Sequence, residues 1–202
     1  MICLALTGGI ACGKSELGRL LERLGAETVD ADVVVGLLHG PGGRAAESVA
    51  ALFGRGFLLP DGSTDKARLA RLVFSDGAAR RKLENALHPI VRKWLLDWKK
   101  RPGGESSVRV AQIPLLFESS WSQDWDFTAT VETSSLERRL DRLAARGLSR
   151  AEAEARIASQ LPGAERVARA DFAIMNDAGK EQLGLLATAL MKALEARAAT
   201  NH

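Results

Sequence analysis

Residues 4 to 21, LALTGGIACGKSELGRLL, run an apolar stretch into a glycine-rich bend and then into leucines at helical spacing. No other segment restricts the possible folds as much. Gly8 to Ser15 fit G-x-x-x-x-G-K-[ST], a phosphate-binding pattern. Glycines such as Gly8, Gly9 and Gly13 let the backbone take conformations that other residues resist, so successive N–H groups turn inward on an anion. The N-terminus of the next helix adds donors that lack intrahelical partners, and a partial positive charge. Lys14 is then expected to reach the outer phosphates and the Ser15 hydroxyl to bind Mg²⁺. Ile2, Leu4 and Leu6 suit a buried parallel strand. Leu17, Leu20, Leu21 and Leu24 recur at helical spacing, and Gly25 ends that helix. The segment is predicted to bind a nucleoside triphosphate.

A strand feeding a helix needs a sheet to join, and the chain supplies one. Further strands are predicted at Glu27–Val29, Val108–Ile113, Phe127–Val131 and Phe172–Met175, with helical patterns between them. That alternation predicts an α/β fold with a mainly parallel sheet flanked by helices. The core is expected at 1–32, 105–135 and 166–202. Between its second and third strands lies a stretch too long for a simple crossover, about 33–104, read as an inserted helical lobe. It carries helical patterns at Ala67–Val73 and Ala78–Trp98, where Leu83, Leu87, Val91, Trp94 and Trp98 share a face. Pro89 is expected to restart that second helix rather than sit inside it. RPGGESS, residues 101–107, is the polar return to the core.

A second excursion, about 136–165, holds two helices joined at Arg146–Ser149. Ser134 with Glu137, and Ser149 with Glu152, have the spacing of capping boxes. Arg138, Arg139, Arg142, Arg146, Arg150 and Arg156 make this either a solvated helix face or a lid that brings arginines over phosphates.

Composition excludes several classes. No apolar run approaches the roughly 20 residues of a membrane span. The N-terminal apolar stretch lacks a basic segment before it, so no signal peptide is expected. A net charge of +3, no tyrosine and 5% aromatic residues do not argue for nucleic acid. The cysteines, Cys3 and Cys12, argue against a disulfide framework and for a reducing cytoplasm. No Cys/His cluster has zinc spacing, and nothing indicates the oligomeric state.

VDAD, residues 29–32, puts Asp30 and Asp32 at the end of the second strand. Ligands of open α/β sheets bind outside the carboxyl ends of strands, so a carboxylate here can meet a substrate. If the extended geometry persists, both share one face. Either can instead cap the helix starting near Val33, with Asp32 well placed for it. His88 is a helix-end residue or a catalytic one. Cys12, within the loop and at a helix start, is either a reactive thiol of lowered pKa or an inert, inward-packed residue.

LTGGIACGKS, VDAD, LFG at 52–54, DG at 61, LENALHP, IPLLFE, the Arg142/Arg146 pair, Gln160, AD at 170 and Asn176 occur in the order and approximate spacing of dephospho-CoA kinases. The chain resembles that family from about Leu4 to Leu194. The resemblance implies a P-loop kinase core with a helical substrate lobe and a lid. It also implies transfer of phosphate from ATP, with Mg²⁺, to the ribose 3′-hydroxyl of dephospho-CoA. By the same resemblance Ala11, Cys12, Gly13, Lys14, Ser15 and Glu16 surround the ATP phosphates, after Gly9 in the loop. Asp32 is then the carboxylate near the acceptor hydroxyl, Arg142 comes from the lid, and Asn176 lies beside adenine. The lobe with His88 would hold dephospho-CoA. Three positions depart from the family pattern: Gln112 stands where Asp is usual, Glu16 where a hydroxyl residue is usual, and Arg139 where Gln is usual. A guanine-nucleotide switch would need N-K-x-D, which is missing. A nucleoside monophosphate kinase of the same fold is the nearer alternative.

Overall fold

The computed structural model describes residues 1–102 and 106–200. In chain order they form β1 (Ile2–Gly8), α1 (Lys14–Arg23), β2 (Glu27–Asp30), α2 (Ala31–Leu38), α3 (Arg44–Phe53), α4 (Lys66–Ser75) and α5 (Gly77–Lys99). Then come β3 (Val108–Gln112), β4 (Phe127–Glu132), α6 (Leu136–Ala144), α7 (Arg150–Ala158), α8 (Gly163–Arg169), β5 (Phe172–Met175) and α9 (Lys180–Thr200). The chain divides into two compact units, one of Met1–Val29 with Pro102–His202 and one of Asp30–Arg101. Residues 103–105 of the expected return segment, and with them the 104/105 boundary, lie outside the described residues.

The five strands form one sheet in the order β2-β3-β1-β4-β5. β1 pairs in parallel with both β3 and β4, and β4 with β5. Central β1 is buried along its whole length, which is why its sequence is apolar without alternation. Leu4, Leu6, Val110 and Val131 form the core with Leu17 and Leu21 of α1 and Leu183, Leu190 and Leu194 of α9. All five expected strands are present, and β1, β2 and β4 run one or two residues further than expected. Leu24, expected on the apolar face of α1, is 40% exposed beyond the helix end.

The unit Asp30–Arg101 is helical, and four local expectations change within the chain. Pro89 lies inside the single helix α5 and does not restart it. It costs one backbone hydrogen bond, and the helix persists because Val91, Leu95 and Trp98 bury its other side. The cap of α2 is Asp30, whose Oδ1 accepts from Asp32 N at 2.8 Å; the helix therefore starts at Ala31, and Asp32 sits in its first turn. Extended geometry thus does not persist through VDAD. Before the second excursion Ser135, not Ser134, caps α6, while the Ser134 amide donates to Asp177 Oδ1. Glu137 closes no capping box and pairs with Arg150 at 3.0 Å. The Ser149–Glu152 capping box is formed. Helices α3 and α8 were not anticipated. The buried face of α3 is Ala45, Ala46 and Val49, a weak apolar signal, and the buried residue of α8 is an arginine.

Candidate active site

The phosphate loop bridges β1 and α1 at the carboxyl end of the central strand. Its turn closes with Cys12 N donating to Gly9 O at 3.0 Å. Gly13, at φ 115°, precedes the first turn of α1, which holds Lys14, Ser15 and Glu16. Ala11 takes a left-handed φ of 62°. A residue with a Cβ pays roughly 1–2 kcal/mol for that conformation, so strain is stored inside the loop.

Side chains from three later segments hydrogen-bond to the loop. The Asn176 Nδ2 donates to Cys12 O at 2.8 Å, and Gln160 Oε1 accepts from Ile10 N at 2.7 Å. From α6, Arg139 Nε donates to Ile10 O at 3.1 Å and Arg142 Nη1 to Ala11 O at 2.7 Å. Behind the loop, Glu132 of β4 and Arg166 of α8 form a buried ion pair. The arginine-rich α6 is therefore more than a solvated face, because two of its guanidinium groups bind loop carbonyls.

Gly9, Ala11, Cys12, Gly13, Lys14, Ser15, Glu16, Arg142 and Asn176 all belong to the sheet unit. Asp32 and His88 belong to the helical unit Asp30–Arg101, both on exposed positions. The negative charge of Glu16 is offset by an ion pair with Arg19 one turn on. Gln112, the last residue of β3, is buried with its amide against Gly18 of α1; its Oε1 has no hydrogen-bond partner among the described residues. Among those residues no cluster of three or more His, Cys, Asp or Glu could hold a metal.

Burial and charge around Cys12 oppose the reactive alternative and favour the inert, inward-packed one. The residue is fully buried, with Sγ 3.8 Å from Glu132 Oε2. Burial pushes the thiol pKa up, and the Glu132 charge adds to it against the opposing Arg139. Glu132, Arg166 and the role of Gln160 escaped sequence reasoning. A glutamate closing the apolar run TATVE was the one visible signal, since buried carboxylates need partners.

A phosphate loop between a central parallel strand and a helix, with arginines from a helical hairpin on its carbonyls, defines a P-loop kinase. A family model for dephospho-CoA kinase matches residues 2–182. The dephospho-CoA kinase of Geobacter sulfurreducens is 39% identical over 186 residues, covering 91% of this chain and 93% of that protein. Among solved structures, TT1252 from Thermus thermophilus is 34% identical with a TM-score of 0.78, covering 96% of this chain and 97% of that one. Dephospho-CoA kinase from Campylobacter jejuni is 26% identical with a TM-score of 0.72, covering 94% and 95%. The chain belongs to the dephospho-CoA kinase family.

Proposed function

We propose that this kinase transfers the γ-phosphoryl group of ATP to the ribose 3′-hydroxyl of dephospho-CoA, giving coenzyme A and ADP, in the cytoplasm. The observation that supports it best is the phosphate loop in its binding shape, gripped by Arg139 and Arg142 of α6. Phosphoryl transfer asks the protein mainly for positioning and for neutralisation of charge. Lys14 supplies a cation to the outer phosphates at the start of α1, where the helix N-terminus adds its own positive end. Arg142 spends one of its five N–H donors on Ala11 O, which anchors the guanidinium at the loop and leaves others for phosphate oxygens.

Asp32 would orient the acceptor hydroxyl or take its proton, and the lobe bearing His88 would hold dephospho-CoA. Asn176 would stand beside adenine, with its amide tied to the loop from behind. The donor set suits Mg²⁺: with no acidic cluster among the described residues to form a cage, Ser15 Oγ would hold the ion together with ATP oxygens, matching its habit of few protein ligands. When bound, Mg²⁺ would neutralise charge on the β- and γ-phosphates.

Purified protein should form coenzyme A from dephospho-CoA, ATP and Mg²⁺, measured by chromatography beside AMP, CMP and shikimate as rival acceptors. Phosphorylation of AMP with dephospho-CoA untouched would overturn the assignment.

A further inference from the structure

Beneath the phosphate loop lies an ion pair with no part in the chemistry described above. Glu132 ends β4, Arg166 stands in α8, and their side chains are only 6% and 1% exposed. Arg166 Nε donates to Glu132 Oε1 at 2.6 Å and Nη2 to Oε2 at 2.8 Å, a two-point fork. Oε1 also accepts from Thr130 Oγ1 at 2.7 Å, while Oε2 faces the Cys12 thiol. Burial alone would draw the Arg166 pKa down; the hydrogen-bonded Glu132 outweighs it and raises the value, so the guanidinium stays charged.

Space around the pair is tight on the loop side. A Cβ at Gly9 would stand 2.8 Å from both Arg166 Nη2 and Cys12 Sγ, and 3.1 Å from Glu132 Oε2. Glycine is needed there for close approach, and φ plays no part. On the other side, Arg166 Nη1 donates to Leu161 O, and a Cβ at Gly163 would lie 3.1 Å from Glu132 Oε2. The same segment is held by Glu118 Oε1 accepting from Leu161 N at 3.0 Å, and its Gln160 side chain accepts from Ile10 N.

Stability alone does not account for such a pair. Desolvation of two buried charges offsets most of their attraction, and apolar residues of similar volume often serve as well or better. A fork supplies what apolar packing lacks, a fixed direction and distance between two backbones. We propose that Glu132–Arg166 is a positioning element of the nucleotide site: it sets the seat of the Gly9–Cys12 turn and ties that turn to the Leu161–Gly163 segment that follows α7. Neither residue contacts the reacting atoms. Their effect runs through the shape of the loop that receives the triphosphate.

Three variants test this, each assayed below its melting temperature. Glu132→Gln keeps the volume and spoils half of the fork; Arg166→Lys keeps the charge and loses the fork. The double Glu132→Leu/Arg166→Met removes both charges. KM for ATP should rise about tenfold or more in all three, while KM for the acceptor stays within about twofold. The double variant should melt within about 5 °C of wild type, as apolar replacement of a buried pair allows. Unchanged ATP KM in Glu132→Gln and Arg166→Lys would overturn the positioning role. So would a joint rise of both KM values with a fall in melting temperature, the mark of general packing loss. Should the double variant fail to fold, the two single variants decide. The inference rests on the loop being an ATP site, and the two fail apart. An inactive wild type refutes the proposed activity, whereas an active wild type with indifferent variants refutes only the positioning role.

Discussion

Replacing Asn176 with alanine separates a side chain that holds the loop from one that only touches the nucleotide. Asn176 is 4% exposed, and its Nδ2 donates to the Cys12 carbonyl at 2.8 Å. Its position against Gly13 leaves no room there for a Cβ. Alanine removes the donor and leaves a buried carbonyl without it, at about 1–3 kcal/mol. For a chain of this size each kcal/mol moves the melting temperature by about 2–4 °C, so nucleotide-free Asn176→Ala should melt ~2–12 °C below wild type. Asn176→Asp keeps the shape but turns an acceptor toward the carbonyl oxygen, and should lose at least as much. Differential scanning fluorimetry without nucleotide makes the measurement. Both variants within about 2 °C of wild type, less than 1 kcal/mol, would refute the loop-holding role. A change confined to KM for ATP would then leave Asn176 only its place beside adenine.

Cys12 should label slowly with a thiol reagent in folded protein, with and without Mg·ATP; fast labelling that Mg·ATP blocks, read by peptide mass spectrometry, would contradict its burial. Asp32→Asn should lower turnover about 10²–10⁴-fold with ATP binding kept, because a positioned base contributes that much; near-normal turnover would reduce Asp32 to a first-turn residue of α2. Pro89→Ala should raise the melting temperature, since alanine restores a donor inside α5; an unchanged or lower value would mean that the helix depends on the proline. His39 is buried with Nδ1 2.8 Å from Thr64 Oγ1, and burial, aided by Lys66, lowers its pKa. The unfolded chain therefore binds more protons in acid, and stability is full at neutral pH and falls as pH drops below the unfolded value of about 6.5. His39→Gln should flatten that part of the melting-temperature profile; an identical slope would refute the contribution.

The sequence by itself determined the α/β alternation and the phosphate loop, because both are local. An apolar run is a buried strand wherever the sheet lies, and G-x-x-x-x-G-K-S carries its turn and helix start within eight residues. The capping box at Ser149 was legible for the same reason. Pro89 inside α5 was not, since propensity forbids it and only burial of Val91, Leu95 and Trp98 outweighs the lost hydrogen bond. The competition between Asp30 and Asp32 for one helix cap was likewise open until the backbone turned at Ala31. What surrounds the loop was decided by tertiary structure alone. Gln160, Glu132, Arg166 and Asn176 are 120 residues or more from Cys12 in sequence, and no pattern marks residues whose partners arrive from that distance. The thiol of Cys12 shows the physical reason most directly: a helix start and nearby cations predict a thiolate, and burial against the Glu132 carboxylate reverses the sign.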